Sequence, residues 1–287
     1  MLRETEMRQE TVIFLHLPKT AGSTLNWIIQ RQYEPAAIYA FRWYFHWSLL
    51  PTDEFKQLPT AQKEKIRFIT GHMSFGLHEA MSGSYSYITV LRNPVDRVIS
   101  SYYHILRDRK HPIHNEVISM SLPQYLCSGL SLDANNGQTR RLSGVGTTVP
   151  YGQCSSQMLE QAKQNIQEHF SIVGLTERFD ETLILLKRHF GWKNPFYLTQ
   201  NKGRNQPARE DISPDGPDLI KQYNQLDIEL YQYAQEMFDT QIRQQDVSFE
   251  QEVKRFKWLN NSFFKGYIFP NRVITKLKWL RKKRLAK

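Results

Sequence analysis

Two kinds of apolar pattern alternate along this chain. Thr11 to Leu17 (TVIFLHL) is a short, nearly unbroken apolar run, the pattern of a strand covered on both faces, as in a parallel sheet. Pro18 stops it. After a short polar loop, Leu25, Ile28 and Ile29 recur at helical spacing, and Ser23 or Thr24 offers a hydroxyl to cap that helix. Ile66 to Thr70 and Tyr87 to Leu91 predict two more strands, followed by Gly71 and by Arg92-Asn93-Pro94. Pro94 suits a first helical turn, and Val95, Val98, Ile99 and Tyr102 continue at helical spacing. Further on, Ser156 to Phe170 predicts a helix, Ser171 to Leu175 a strand and Phe179 to Phe190 a helix. A long helix over Asp218 to Arg243 and a shorter one over Phe249 to Leu259 complete the pattern. Strands alternating with helices predict an α/β sandwich with a central parallel sheet flanked by helices. The expected organisation is a loose polar segment over 1–10, one domain over 11–260 and a basic amphipathic tail over 261–287.

In such folds ligands gather beyond the carboxyl ends of the strands. The loop after the first strand, Pro18-Lys19-Thr20-Ala21-Gly22-Ser23-Thr24, suits an anion. The helix start offers unpaired N–H groups and the positive end of a dipole. Gly22 admits a close backbone approach, Thr20, Ser23 and Thr24 add hydroxyls, and Lys19 adds a point charge. The lysine precedes the glycine and G-x-x-x-x-G-K-[ST] is absent, so this is not a Walker loop. The plain alternative is an ordinary strand–turn–helix link. A second segment, LRNPVDRVISSYY from Leu91, places Arg92 at a strand end and Ser100 two turns into the next helix. The guanidinium of Arg92 matches a phosphate bidentately.

Together the two segments resemble the carbohydrate branch of the sulfotransferases that use 3'-phosphoadenosine 5'-phosphosulfate (PAPS). That branch includes the heparan sulfate 2-O- and 6-O-sulfotransferases and bacterial relatives. FLHLPKTAGSTL resembles its 5'-phosphosulfate loop, and VLRNPVDRVISSYYH its 3'-phosphate motif, in which an arginine and a serine eight residues later bind the phosphate. NNGQTRRLSG and VGLTERFDETLILL extend the resemblance to about Gly191, and Asn201-Lys202-Gly203 is a scattered further likeness. The resemblance implies a P-loop-like three-layer sandwich and PAPS as cofactor. It implies a donor site formed by Lys19, Thr20, Ala21, Gly22, Ser23, Thr24, Arg92 and Ser100. The loop departs from the family in carrying Ala21-Gly22-Ser23 where many members have a Gly-Gly-Thr type sequence.

Sulfuryl transfer follows the logic of phosphoryl transfer: the reacting groups lie in line, and the enzyme positions them and stabilises charge. Lys19 is the candidate for stabilising the departing oxygen, the role of the matching lysine in the family. No metal is required. The acceptor hydroxyl needs a base, for which histidine is the natural type, with an acidic limb at roughly pH six to seven. His72, in Gly71-His72-Met73 after a strand, resembles the base segment of the 2-O branch. His78, in Gly76-Leu77-His78, resembles that of the 6-O branch. One would act and the other hold the acceptor, and the more rigid mount at a strand end favours His72. His16 reads as a packed strand residue. Arg140 and Arg141 are candidates to meet an acidic or sulfated acceptor or the cofactor, against the alternative of a solvated pair. Phe41, Trp43, Tyr44, Phe45 and Trp47 form either a sugar-stacking wall or core.

Charge changes the picture only at one end. The net charge of +10 over 287 residues comes largely from the nine Lys and Arg residues after Phe264, which leaves the remainder near neutral. That distribution argues against nucleic acid as a partner. Val273, Ile274, Leu277 and Leu280 recur at helical spacing within the basic tail, which suits an anionic membrane surface or, equally, packing on the body. No run of eighteen apolar residues occurs, the charged N-terminus lacks a signal-peptide core, and Cys127 and Cys154 have no metal-ligand spacing. These features predict a cytoplasmic chain, with membrane association through the tail, acting on a carbohydrate or glycolipid acceptor. The competing readings are a P-loop-type nucleotide kinase, which needs a Mg²⁺-holding Asp after a strand, a non-catalytic nucleotide-binding module, and a tyrosine or small-molecule acceptor.

Overall fold

Five parallel strands form the centre of the molecule: β1 (Thr11–Leu15), β2 (Ile38–Ala40), β3 (Phe68–Gly71), β4 (Tyr85–Leu91) and β5 (Phe170–Leu175), in the order β2-β3-β1-β4-β5. The computed structural model describes residues 10–41, 52–146, 148–197 and 215–264. Trp43, Tyr44, Phe45 and Trp47 of the aromatic cluster, Asn201-Lys202-Gly203 and the basic tail beyond Phe264 lie outside the described residues. Every residue of β1 is buried, as a central parallel strand requires. Val12 pairs with Phe68 on one side and Ser86 on the other, and Tyr87 of β4 pairs with Phe170 of β5. Helices flank the sheet. Gly22–Ile29 follows β1, Pro94–Arg107 follows β4, and Ser156–His169 leads directly into β5. A second apolar cluster lies under the Pro94–Arg107 helix, where Val98, Ile105, Val117, Tyr125 and Leu126 are buried.

The strand order fixes where a ligand goes. From β1 the chain moves to β2 and β3 on one side; from β4 it moves to β5 on the other. The switch point is between β1 and β4, where the crevice of an open parallel sheet forms. Those two strands carry the lysine loop and Arg92.

Several expected elements differ at their ends. The sheet ladder of β1 closes at Leu15, and His16 already donates its N–H to the Gly71 carbonyl across the mouth (3.1 Å). The Gly22–Ile29 helix takes Ala21 as its cap, in left-handed backbone and with no side-chain cap, so Ser23 and Thr24 lie inside the helix instead of at its cap position. The long pattern over Asp218–Arg243 is two helices, Asp215–Tyr223 and Gln225–Arg243, broken at Asn224. The Asn224 amide donates to the carbonyls of Ala134 and Ile220 (2.9 Å each), and its oxygen accepts from the Asn136 N–H (2.9 Å). The break lets one side chain bind a neighbouring segment, which a period-3.6 pattern does not reveal. Edge strand β2 gives no alternating signal in its three residues.

Candidate active site

The loop after β1 has an unusual backbone. Lys19 (φ 68°) and Ala21 (φ 63°) are both left-handed, and Thr20 between them is not. Alternation of this kind turns successive N–H groups toward one concave side, a nest for an anion. Each left-handed non-glycine residue costs about 1–2 kcal/mol, which the surroundings must hold in place. Thr20 does part of this, its hydroxyl donating to the Leu17 carbonyl (2.8 Å). The Ala21 carbonyl accepts from the N–H groups of Thr24 and Leu25 (2.9 and 3.1 Å) and starts the helix. Gly22 has a different role from the one its sequence suggests. A Cβ there would lie 1.8 Å from Nε2 of His16, so the missing side chain makes room for that imidazole.

Arg92 meets this loop across the switch point. Its Nη1 donates to the Lys19 carbonyl (3.1 Å). Its backbone is clamped by Gln138, whose oxygen accepts from the Arg92 N–H (3.0 Å) and whose amide donates to the Arg92 carbonyl (2.9 Å). Asn93 caps the Pro94–Arg107 helix by accepting from the N–H groups of Val95 and Asp96. Ser100 is buried on that helix, on the same side of its chain as His104 and Arg107 by their spacing of four and seven. Burial lowers the Lys19 ammonium to about 8, and the charges of Arg107 and Arg92 push the same way. A lysine, two arginines and the loop N–H groups thus converge on one mouth.

The two candidate histidines are far apart in the sheet. His72 follows β3 at the carboxyl end. Its Nδ1–H donates to the His16 carbonyl (2.8 Å), and the two rings lie 4.2 Å apart. A carbonyl only accepts, so the proton is on Nδ1 and Nε2 carries the lone pair. Burial, then the charge of Arg141, lowers His72 to about 4, well under the ordinary histidine value. His78 instead belongs to an aromatic group with Phe75, Tyr85, Tyr87 and His169, its ring 4.8 Å from those of both Tyr85 and His169. Tyr85 begins β4 and His169 immediately precedes β5, so this group marks the amino ends of the strands. At about 3.3 Å per residue, the six steps from Tyr85 to Leu91 span about 20 Å. The structure therefore brings His72, and not His78, to the lysine loop.

The two arginines also part company. All five N–H donors of Arg140 are engaged within its own segment. Nε donates to the Asn135 carbonyl, Nη1 to the carbonyls of Gly146 and Val149, and Nη2 to the Pro150 carbonyl and the Asn135 side chain. It is neither solvated nor available to an acceptor; it holds the 135–150 segment together. Arg141 forks onto buried Asp133, with Nε and Nη2 at 3.2 and 3.1 Å from the carboxylate oxygens. Burial opposes the Asp133 charge, but Arg141 and Arg97 outweigh it and hold the carboxyl below its ordinary value.

Sequence reasoning missed three supports: the His16 wedge, the Gln138 clamp and Asp227. Asp227 is fully buried and accepts from the N–H groups of Gln138 and Thr139, from the Thr139 hydroxyl and from Arg97, so it caps the short Gly137–Leu142 helix that carries the clamp. For Gln138 the sequence signal was the NNGQTRR segment, which marks the helix but not its partners, and His16 was read as a packed strand residue without its role as a wedge. Among the described residues no group of three or more His, Cys, Asp or Glu side chains offers a metal site, and no helix is long and apolar enough to cross a membrane.

The galactose-3-O-sulfotransferase family model matches residues 1–285. A heparan-sulfate 6-O-sulfotransferase 2 of Danio rerio is 26% identical over 277 residues, covering 80% of this chain and 58% of that protein. The human heparan-sulfate 6-O-sulfotransferase 2 is 29% identical over 212 residues, covering 64% of this chain and 34% of that protein. This chain thus spans roughly a third to three-fifths of the length of these relatives. A mouse sulfotransferase, SULT7A1, solved in complex with PAP, aligns with a TM-score of 0.41 at 12% identity, over 83% of this chain and 89% of the other.

Proposed function

The chain belongs to the galactose-3-O-sulfotransferase family, and from that premise we propose that it transfers a sulfuryl group from PAPS to a hydroxyl of a carbohydrate. The observation that carries this reading is the meeting of two cationic loops at the switch point, with Arg92 Nη1 on the Lys19 carbonyl at 3.1 Å. The residues present fit a donor with two separated phosphates. The left-handed loop and Lys19 offer donors for one, and Arg92 with Ser100 for the other. The crowding of Lys19, Arg92 and Arg107, felt in the lowered Lys19 pKa, is relieved by an anion.

When bound, the donor supplies an activated sulfuryl group, whose bond to the 5'-phosphate oxygen breaks as the acceptor oxygen bonds to sulfur. Lys19 stabilises the negative charge that grows on the oxygen left behind. His72 takes the acceptor proton on Nε2, while its Nδ1–H stays on the His16 carbonyl and fixes the ring. The strand-end mount and the carbonyl bond orient the imidazole before substrate arrives. Arg92 and Ser100 hold the far phosphate and so place the nucleotide in register. Galactose-terminated and heparan-type oligosaccharides are the acceptors to test first, after the names of the family and of its relatives.

Thermal melting tests the donor half. 3',5'-Adenosine bisphosphate (PAP) without added metal is expected to raise the Tm, because it binds the folded state alone, and to raise it more than ATP with Mg²⁺ at equal concentration. Stabilisation by ATP–Mg²⁺ and not by the bisphosphate would give the site to the kinase reading.

A further inference from the structure

Arg141 has one donor more than its neighbours use. Its side chain is only 10% exposed, and its pairing with Asp133 occupies Nε and Nη2. Nη1 is buried with no hydrogen-bond partner among the described residues. Buried guanidinium groups are seldom left this way, since an unsatisfied charged donor is costly; such an atom points to a ligand. Arg140 in the same helix has all its donors engaged, and the other buried arginine with an unpartnered donor among the described residues, Arg97 at Nε, is held by the Asp133 carbonyl and Asp227.

Its position narrows the ligand. The Arg141 carbonyl accepts from the Phe75 N–H (2.8 Å), which ties this residue to the chain three positions beyond His72. The charges of Arg141 and its partner Asp133 act on His72, and that of Arg141 acts on His16 as well. Arg141 therefore stands beside the His72 imidazole. Resting on the sulfuryl-transfer reading above, the group that must lie between Lys19 and His72 is the sulfuryl group itself. It is anionic, rich in acceptor oxygens, and buried at the moment of transfer. We propose that Nη1 of Arg141 donates to a sulfuryl oxygen of the donor nucleotide, with Asp133 holding the guanidinium in that aim. The contact forms with the sulfonated nucleotide and is absent with the bisphosphate product, so it favours the charged donor over the spent one. A sulfate or carboxylate on the acceptor offers the same oxyanion chemistry, and binding without acceptor separates the two sources.

The test measures Kd for PAPS and for PAP, without acceptor, in the wild type and in Arg141→Lys, which keeps a cation beside Asp133. The expected result is a loss of about tenfold or more for PAPS with PAP changed less than twofold, the selectivity scale of one charge-assisted contact. Turnover falls about a hundredfold, as for loss of one preorganised donor. If Arg141→Lys melts early, the pair Arg141→Met with Asp133→Asn removes both charges and is expected to show the same selective loss. Equal weakening of both nucleotides would make Arg141 a scaffold for the phosphate loops and overturn the proposal. Unchanged binding of both would move its contact to the acceptor and overturn it equally. A wild type that binds neither nucleotide would instead remove the donor reading on which it rests.

Discussion

Lys19 faces two requirements that pull its proton in opposite directions. On the proposed reading it shares an anion with Arg92 and Arg107, while burial, and then the charges of Arg107 and Arg92, lower its pKa to about 8. The sign of the consequence is fixed. An anion favours the charged lysine, so the bound pKa is higher than the free one and binding takes up a proton wherever free Lys19 has lost it. The affinity for PAP is expected to be flat below pH 8 and to fall by up to tenfold per pH unit above it. Isothermal titration from pH 7 to 9.5 checks this, and Lys19→Ala should flatten the dependence. The same logic applies at His72. Its free value near 4 is held down by burial and by Arg141, and a bound anion offsets the second cause. The acidic limb of kcat/KM for the donor, which reports the free enzyme, is expected near 4, and that of kcat, which reports the complex, higher. His72→Ala is expected to cut kcat by about a hundredfold to ten-thousandfold and remove the limb. His78→Ala, at the amino ends of the strands, should leave kcat and KM within a few-fold. Steady-state kinetics on both variants decide between them, and a collapse in His78→Ala alone would reverse the assignment. The sequence favoured His72 only by its strand-end mount, because both histidines stand within eight residues of β3. Only the return of the chain into β4 reveals which one stays at the mouth. The residue type alone predicts a limb near six to seven, and burial beside a guanidinium is expected to displace it downward.

At the scale of elements, the Lys19 loop, the Gly22–Ile29 helix and the end of β3 form one unit. The Thr70 hydroxyl donates to the Asn26 side chain (2.7 Å), Asn26 reaches Nδ1 of His16 (3.5 Å), and the His16 ring fills the space that Gly22 leaves. His16 is therefore a wedge that sets the distance between the helix start and the strand ends, and its carbonyl orients His72. Gly22→Ala is expected to destabilise the fold by about 1–3 kcal/mol, the range for overpacking, since the imidazole has nowhere to go. Adding His16→Ala should recover part of that loss, which chemical denaturation of the single and double variants measures; a double variant no more stable than Gly22→Ala would show that the wedge is not the cause. The sequence showed the loop's glycine but assigned its freedom to the ligand, because a motif read along the chain cannot show a side chain packed over it from six residues earlier. Nor could it show the left-handed Lys19 and Ala21, since neither residue type favours that backbone. The strain there is visible only with the loop folded.

For the whole molecule, the order of the strands was not legible, but its consequence was. Apolar runs ending in Pro18-Lys19 and in Arg92-Asn93 marked the two strands whose loops converge, and the structure puts them side by side as β1 and β4. Long-range partners were beyond reach in the same way. Asp227 lies some ninety residues from the helix it caps, and Asn224 breaks a helix to bind Asn136. Such contacts link the site to the Gln225–Arg243 helix, which no motif marks. Sulfuryl transfer is decided by following label from sulfur-labelled PAPS, without metal, into the galactose-terminated and heparan-type oligosaccharides, for the wild type and for Lys19→Ala. A sulfotransferase leaves label bound covalently to a sugar hydroxyl, releases PAP in equal amount, and is slowed about a hundredfold or more by Lys19→Ala. Label remaining on the nucleotide while γ-labelled ATP with Mg²⁺ modifies the same oligosaccharides would contradict this reading.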